Sequence, residues 1–208
     1  NLHSLRFSTR YLLALINDLL EINKAEEKKI ILKKFPFNLS DEMLIIKNSL
    51  LFMADGNGNK LSINMDEKIP KILLGDEIRL AQVMMNLISN ALKFTENGLV
   101  KVQAELISIQ EKTCKIAINV SDTGIGIKEK DLQKIFENFV QIERKQGDYQ
   151  GTGLGLPIVK KLVTLFGGNI NVESVENKGT KFSFTIELEY LNEMPRDNIF
   201  NEENNSME

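Results

Sequence analysis

Gly151-Thr152-Gly153-Leu154-Gly155-Leu156-Pro157-Ile158-Val159-Lys160-Lys161 runs from alternate glycines straight into a helical pattern. Pro157 belongs in the first turn of that helix, where a missing N–H costs nothing and φ is preset. Free N–H groups at a helix start on so permissive a loop can cradle phosphate oxygens. Two familiar phosphate-loop readings fail, however. A Gly-x-Gly-x-x-Gly fingerprint begun at Gly151 would need its last glycine at Leu156, and the residues before it are loop rather than strand. No Gly-x-x-x-x-Gly-Lys-Ser/Thr stretch occurs in the chain, which excludes the P-loop.

Working upstream, residues 77–94 read as a helix introduced by Gly75-Asp76. Arg79, Gln82, Asn86, Asn90 and Lys93 fall three or four apart and form one polar stripe. Ala81, Met84, Met85, Ile88, Ala91 and Leu92 cover the other side. The bland reading is the solvated face of an amphipathic helix. The residue types argue against it, because each Asn costs roughly 0.5–0.7 kcal/mol relative to Ala in a helix interior, where Glu or Lys would cost little. Two asparagines one turn apart therefore have a task, and amide oxygens suit Mg²⁺, which binds phosphates beside few protein groups.

Between these segments lies Asp122-Thr123-Gly124-Ile125-Gly126-Ile127, directly after the alternating Ile116, Ile118 and Val120. A carboxylate at a strand end only accepts hydrogen bonds, so it suits the exocyclic amine of adenine and repels the carbonyl of guanine. Glycines beside it let backbone approach a flat ring. Asp-x-Gly is also common in turns, so taken alone this stretch says little.

The remaining chain supplies the frame. Residues 4–27 read as one long helix with Leu5, Leu12 and Leu19 repeating every seven, a coiled-coil-like seam that needs a partner. A short strand within 30–37 closes at Pro36, and Asn38-Leu39-Ser40-Asp41-Glu42 opens a helix, with Ser40 read as its N-cap, that runs to about Ala54. Strands follow at Lys60–Met65, Leu99–Ile109 and Lys115–Ser121. The helix after the glycine run reaches Phe166 and ends at Gly167-Gly168, and strands at Asn169–Ser174 and Thr180–Leu188 complete the set. No regular βαβ alternation occurs, so the expected class is α+β: one mixed sheet with helices layered on one face. Residues 191–208 are acidic and Asn-rich and read as linker or disorder.

Composition narrows the function classes. Hydrophobic content of 42% matches a globular protein with a core of its own. A formal net charge of -3 without a basic block argues against nucleic-acid partners. Cys114 is the single cysteine, excluding an internal disulfide and a cysteine-based zinc site; it is expected as a structural thiol at a strand start. No apolar run approaches the ~20 residues that cross a bilayer, so no membrane contact is expected of these residues and a cytoplasmic, reducing setting is. Whether a parent protein is anchored in the inner membrane is left open. The chain opens without Met inside a helical pattern and is expected to be a piece of something longer.

Taken in order, Asn-Leu-x-x-Asn-Ala-x-Lys-Phe-Thr at 86–95, Asp-x-Gly-x-Gly at 122–126, Ile-Phe-Glu-Asn-Phe at 135–139 and Gly-Thr-Gly-Leu-Gly-Leu at 151–156 resemble the N, G1, F and G2 boxes of the sensor histidine kinases. These kinases share an ATPase superfamily with gyrase and MutL. Gly167-Gly168-x-Ile-x-Val-x-Ser and Gly179-Thr180-x-Phe-Ser-Phe also fit, and Tyr11–Leu20 resembles the second helix of the dimerisation domain. The resemblance covers about 1–189. It implies a two-layer α/β sandwich of the Bergerat type, preceded by the long helix. It divides the chain into 1–28 (part of the dimerisation domain), 29–190 (the catalytic ATP-binding domain) and the 191–208 tail.

The same resemblance implies roles. Asn90 is the Mg²⁺ ligand, with Asn86 one turn earlier and Lys93 near the phosphates. Asp122 holds the adenine amine over a floor of Gly124 and Gly126. Gly151, Thr152, Gly153, Leu154 and Gly155 face the triphosphate, and residues 140–150 form a lid in which Arg144 or Lys145 meets the γ-phosphate. Asn86 replaces the glutamate that activates water in the superfamily's hydrolases, which favours phosphotransfer over hydrolysis. The expected partners are a second copy, in a homodimer of the full-length protein, and a response regulator or fused receiver domain.

His3 is the only histidine and is not expected to be the phosphoacceptor. In Leu2-His3-Ser4-Leu5-Arg6-Phe7-Ser8, Ser4 replaces the acidic neighbour and Ser8 the proline of the family's Ser-His-Glu-Leu-Arg-Thr-Pro. It also precedes a segment like the second helix, whereas the acceptor belongs on the first. Two other functions fit the pattern less well: a non-catalytic scaffold on the same fold, and a serine kinase of the anti-sigma-factor type.

Overall fold

The structure, a computed structural model, describes residues 31–140 and 153–192. The helix expected over 4–27, His3 and residues 193–208 of the tail lie outside the described residues. In chain order the elements are β1 (Phe35–Phe37), α1 (Leu39–Gly56), β2 (Lys60–Met65), β3 (Ile72–Gly75), α2 (Glu77–Lys93), β4 (Leu99–Ile109), β5 (Thr113–Asp122), α3 (Gly155–Leu165), β6 (Ile170–Val175) and β7 (Gly179–Leu191), with a 3₁₀ turn at Glu129–Asp131.

The strands form one seven-stranded sheet in the order β1-β3-β7-β5-β4-β2, with β6 also paired to β7. Only β2 and β4 run parallel; the other pairs are antiparallel. β7 organises the sheet. Thr180 to Glu189 pair with β5 along one side. On its other side Gly179–Phe184 pair with β6 and Glu189–Leu191 with β3.

The alternation visible in the sequence explains the layering. Val100, Val102 and Ala104 of β4, Cys114, Ile116, Ile118 and Val120 of β5, and Phe182, Phe184, Ile186 and Leu188 of β7 are all buried. Between them stand Lys101, Gln103, Lys115, Asn119, Lys181 and Ser183, half-buried or exposed on the opposite face. The helices cover the apolar face with their own stripes: Leu39, Met43, Ile46, Leu50 and Ala54 of α1, Leu80, Val83, Leu87 and Ala91 of α2, Ile158, Leu162 and Val163 of α3. Period two meets period 3.6 across a single core. The expected α+β sandwich is present. Burial pushes the Cys114 thiol up to about 11, in keeping with a structural thiol.

Three local expectations need correcting. Asn38, not Ser40, caps α1: its Oδ1 accepts from the backbone N of Ser40 at 2.9 Å and of Asp41 at 3.4 Å. Its extended φ, ψ of -109° and 116° mark the boundary, and Leu39 already belongs to the buried stripe. Pro36 lies inside β1 rather than closing it, which its place on the sheet's outermost strand permits. β3 is absent from the expected strands; four residues are too few to display a period, and pairing with β1 and β7 defines them.

Candidate functional site

α2 starts where Asp76 caps it, Oδ1 accepting from Arg79 N at 3.1 Å, while Oδ2 accepts from Lys33 N at 3.0 Å. Its polar stripe emerges from the core layer as a half-buried edge containing Gln82, Asn86, Asn90 and Lys93. Asn86 donates from Nδ2 to the carbonyl of Gln82 at 3.0 Å, one turn back. Its Oδ1 then faces the first residue of α3. A Cβ placed on Gly155 would lie 2.8 Å from that oxygen, so the glycine leaves room for the Asn86 amide. Asn90, one turn on, makes no side-chain hydrogen bond among the described residues. Lys93 closes the helix with Nζ 5.1 Å from the centre of the Phe94 ring, a cation–π distance.

α3 begins without a side-chain cap: Leu154 precedes it, fully buried, and its side chain offers the first turn no hydrogen bond. Such a start presents backbone N–H groups and the positive end of the helix dipole. Just upstream, Gly153 adopts φ +71°, and its carbonyl accepts from Phe139 N at 3.0 Å. The described ends of the 140–152 stretch therefore meet. Gly151, Thr152, Arg144 and Lys145 lie outside the described residues.

The second half of the site hangs on β5. Asp122 is its last residue, and Oδ1 accepts from Gly124 N at 2.8 Å and Thr180 N at 3.3 Å. No hydrogen bond to Oδ2 occurs among the described residues, so an acceptor remains for an external donor. Burial raises the Asp122 pKa above the ordinary aspartate value, and the two backbone N–H groups partly counter it.

The loop after Asp122 is strapped on both sides. Ile125 N donates to Phe94 O at 3.2 Å, and a Cβ on Gly124 would come within 2.2 Å of that carbonyl. On the other side Asn177 N donates to Ile125 O at 2.7 Å and Ile127 N to Ser174 Oγ at 2.8 Å. Gly126, at φ +64°, would drive a Cβ into Val175 O. These two glycines are required by the protein's own backbone, before any ligand is considered.

Sequence reasoning missed Thr180 and Ser174. They face each other across the β6–β7 ladder with hydroxyls 2.9 Å apart. Ser174 spends its single proton on Gly179 O at 2.9 Å, so Thr180 is the donor between them. Thr180 thus ties Asp122 to β6 through both its backbone N–H and its hydroxyl. The signal was the Gly179-Thr180 pair, matched as a pattern without a role.

The α2 edge, the start of α3 and the Asp122 loop all lie within one stretch of the chain that matches a family of ATPase domains. The model of the histidine kinase-, DNA gyrase B- and HSP90-like ATPases matches residues 75–190, and the chain belongs to that family. Similar proteins include signalling kinases. The signal transduction histidine-protein kinase BarA of Escherichia coli (strain K12) is 38% identical over 193 residues, 91% of this chain and 21% of that protein. The autoinducer 2 sensor kinase/phosphatase LuxQ of Vibrio parahaemolyticus is 38% identical over 184 residues, 88% of this chain and 21% of its own. The chain thus spans about a fifth of the length of these curated relatives. Among solved structures, full-length ShkA in complex with AMPPNP superposes with a TM-score of 0.77 at 30% identity, covering 91% of this chain and 38% of that one. The catalytic domain of histidine kinase ThkA superposes at 0.61 with 29% identity, covering 74% and 95%.

Proposed function

We propose that this chain is the Mg-ATP-binding catalytic portion of a sensor histidine kinase and donates the γ-phosphoryl group to a histidine on an upstream dimerisation helix. The observation that carries the reading is the meeting of Asn86 on α2 with Gly155 at the uncapped start of α3, a juxtaposition of amide oxygen and helix N-terminus. Phosphate oxygens placed there would accept from the first N–H groups of α3. Asp122 Oδ2 would accept from the adenine amine, and Lys93 would lie on the phosphate side. Gly151, Thr152, Gly153 and Leu154 would shape the phosphate loop, with Arg144 or Lys145 closing over it.

The donor set also fits a hard cation. No group of three His, Cys, Asp or Glu converges among the described residues. Asn90, an oxygen donor one turn from Asn86, suits Mg²⁺, which takes few protein ligands beside phosphates and water. When bound, the ion would offset charge on the transferring phosphoryl group. Asn86 cannot take a proton from water, so the site holds and orients rather than hydrolyses.

Residues 1–28 would then be the second dimerisation helix, those from 29 to the end of β7 at Leu191 the catalytic domain and the rest of the tail a linker, for relay to a response regulator or fused receiver domain. The full-length protein would be a homodimer working on the cytoplasmic side. Among the described residues no helix is long and apolar enough to cross a membrane. The test mixes this chain, Mg-ATP and a separate domain carrying the upstream helix. Phosphohistidine should form on that domain and vanish with Asn90→Ala. Label on His3, or turnover of many ATP per minute by the chain alone, would sink the proposal.

A further inference from the structure

α1 and α2 run parallel. At their N-terminal ends burial, together with the neighbouring Glu77 carboxyl, raises the Glu42 pKa above the ordinary glutamate value, and Asn57 and Asn59, just past α1, reach Leu92 at the end of α2. That second meeting is unusually complete. Asn59 is only 7% exposed, and both polar atoms of its side chain are bonded: Nδ2 donates to Leu92 O at 3.0 Å and Thr95 O at 2.7 Å, and Oδ1 accepts from Gly98 N at 3.0 Å. Asn57 Nδ2 adds a second donor to Leu92 O at 3.0 Å. The backbone closes the same contact, Asn57 O accepting from Asn97 N at 2.9 Å and Gly98 O from Lys60 N at 2.8 Å.

The turn held this way has a second side. Phe94, inside it, offers the carbonyl that accepts from Ile125 N and leaves no room for a side chain on Gly124. Thr123, next to Asp122, donates its N–H to Leu99 O at 3.1 Å and accepts from Leu99 N on Oγ1 at 2.9 Å. Residues 94–99 are therefore sandwiched between the asparagine clamp and the loop that presents Asp122. Helices often end on a left-handed glycine. α2 ends instead on Phe94 at φ -101°, with the side chains of Asn57 and Asn59 both donating to the Leu92 carbonyl in its last turn.

We infer that Asn59 is a positioning residue for nucleotide binding: it fixes the 94–99 turn, which in turn sets the height of the Gly124 backbone beneath the base held by Asp122. The inference rests on the nucleotide reading of the site. Asn59 touches no ligand; its effect travels through one turn of backbone to the base-binding side. A loss there is felt equally by every adenine nucleotide, with or without a γ-phosphate or Mg²⁺.

The experiment measures the affinity of ADP and of a non-hydrolysable ATP analogue at a temperature where every variant is folded. Asn59→Ala should weaken both by the same factor, about tenfold, the order set by losing a buried hydrogen-bonded side chain. Asn57→Ala removes one of two donors to Leu92 O and should weaken both about two- to threefold, which keeps a readout if Asn59→Ala does not fold. Ile46→Ala, a buried position on α1, is the stability control: it should lower the melting temperature and leave both affinities unchanged. Unchanged affinity in both asparagine variants would overturn the inference, as would an equal loss in Ile46→Ala. A wild-type chain that bound neither nucleotide would instead take down the proposed function, and this inference with it.

Discussion

At the residue scale, Asp122 is the most exacting position. Its Oδ1 is committed to two backbone donors and its Oδ2 is not. Asp122→Asn keeps the first arrangement and turns the second oxygen into an NH₂ donor, the wrong polarity for the adenine amine that the proposed function places there. Affinity for adenine nucleotides should fall by at least about tenfold, the usual order when a buried polar partner is mismatched. Stability should move the other way. Because burial raises the folded-state pKa, the folded chain holds this proton more tightly than the unfolded chain does. Wild type therefore loses stability as pH rises from the unfolded aspartate value of about 3.9 through the raised folded value, and the asparagine variant does not. Denaturant melts from about pH 3 to about pH 7 should show the variant gaining on wild type across that window, then running parallel. If the Asp122→Asn variant bound ATP like wild type, the carboxylate would have no part in the site.

Among the elements, those with a buried face on one side could be read directly. β5 and β7 alternate along most of their length and β4 as far as Leu106, where a bulge shifts its register, and α2 carries its polar stripe in plain view. What stayed hidden was defined by partners elsewhere in the chain. β3 is a strand only because β1 and β7 flank it, and the asparagine clamp joins two turns that sequence spacing cannot connect. Helix boundaries sit between these cases, since Asn38 and Ser40 are both good caps and only the backbone angles choose. That choice can be measured. Asn38→Ala should cost about 1 kcal/mol, which lowers the melting temperature of a domain this size by roughly 2–4 °C. Ser40→Ala should stay within about 0.5 kcal/mol of wild type. A melt in which Ser40→Ala is the more damaging change would return the cap to Ser40.

For the whole molecule, the ordered boxes stood out because each pairs a residue type with a chemistry it suits: amides with a cation, a carboxylate with an amine, glycines with a helix start. Their assembly did not, since it depends on β7, which holds β5 on one side and both β3 and β6 on the other. Thr180 carries Asp122's second hydrogen bond from that strand, so the site and the middle of the sheet are one piece of structure. A ligand that grips the site should therefore stabilise the entire domain rather than a loop. Linkage sets the size: at one hundred times its dissociation constant, a ligand adds about 2.7 kcal/mol. For a domain of this length that raises the melting temperature by roughly 5–10 °C. The transition should move as a single step, with α1 and β2 following although neither faces the nucleotide. With Asn90 as the proposed Mg²⁺ ligand, Asn90→Ala should keep the increment given by nucleotide alone and lose the part added by Mg²⁺. Two separate transitions, with only one moved by nucleotide, would show that α1 and β2 melt apart from the site, and the clamp at Asn59 would then be too weak to couple them.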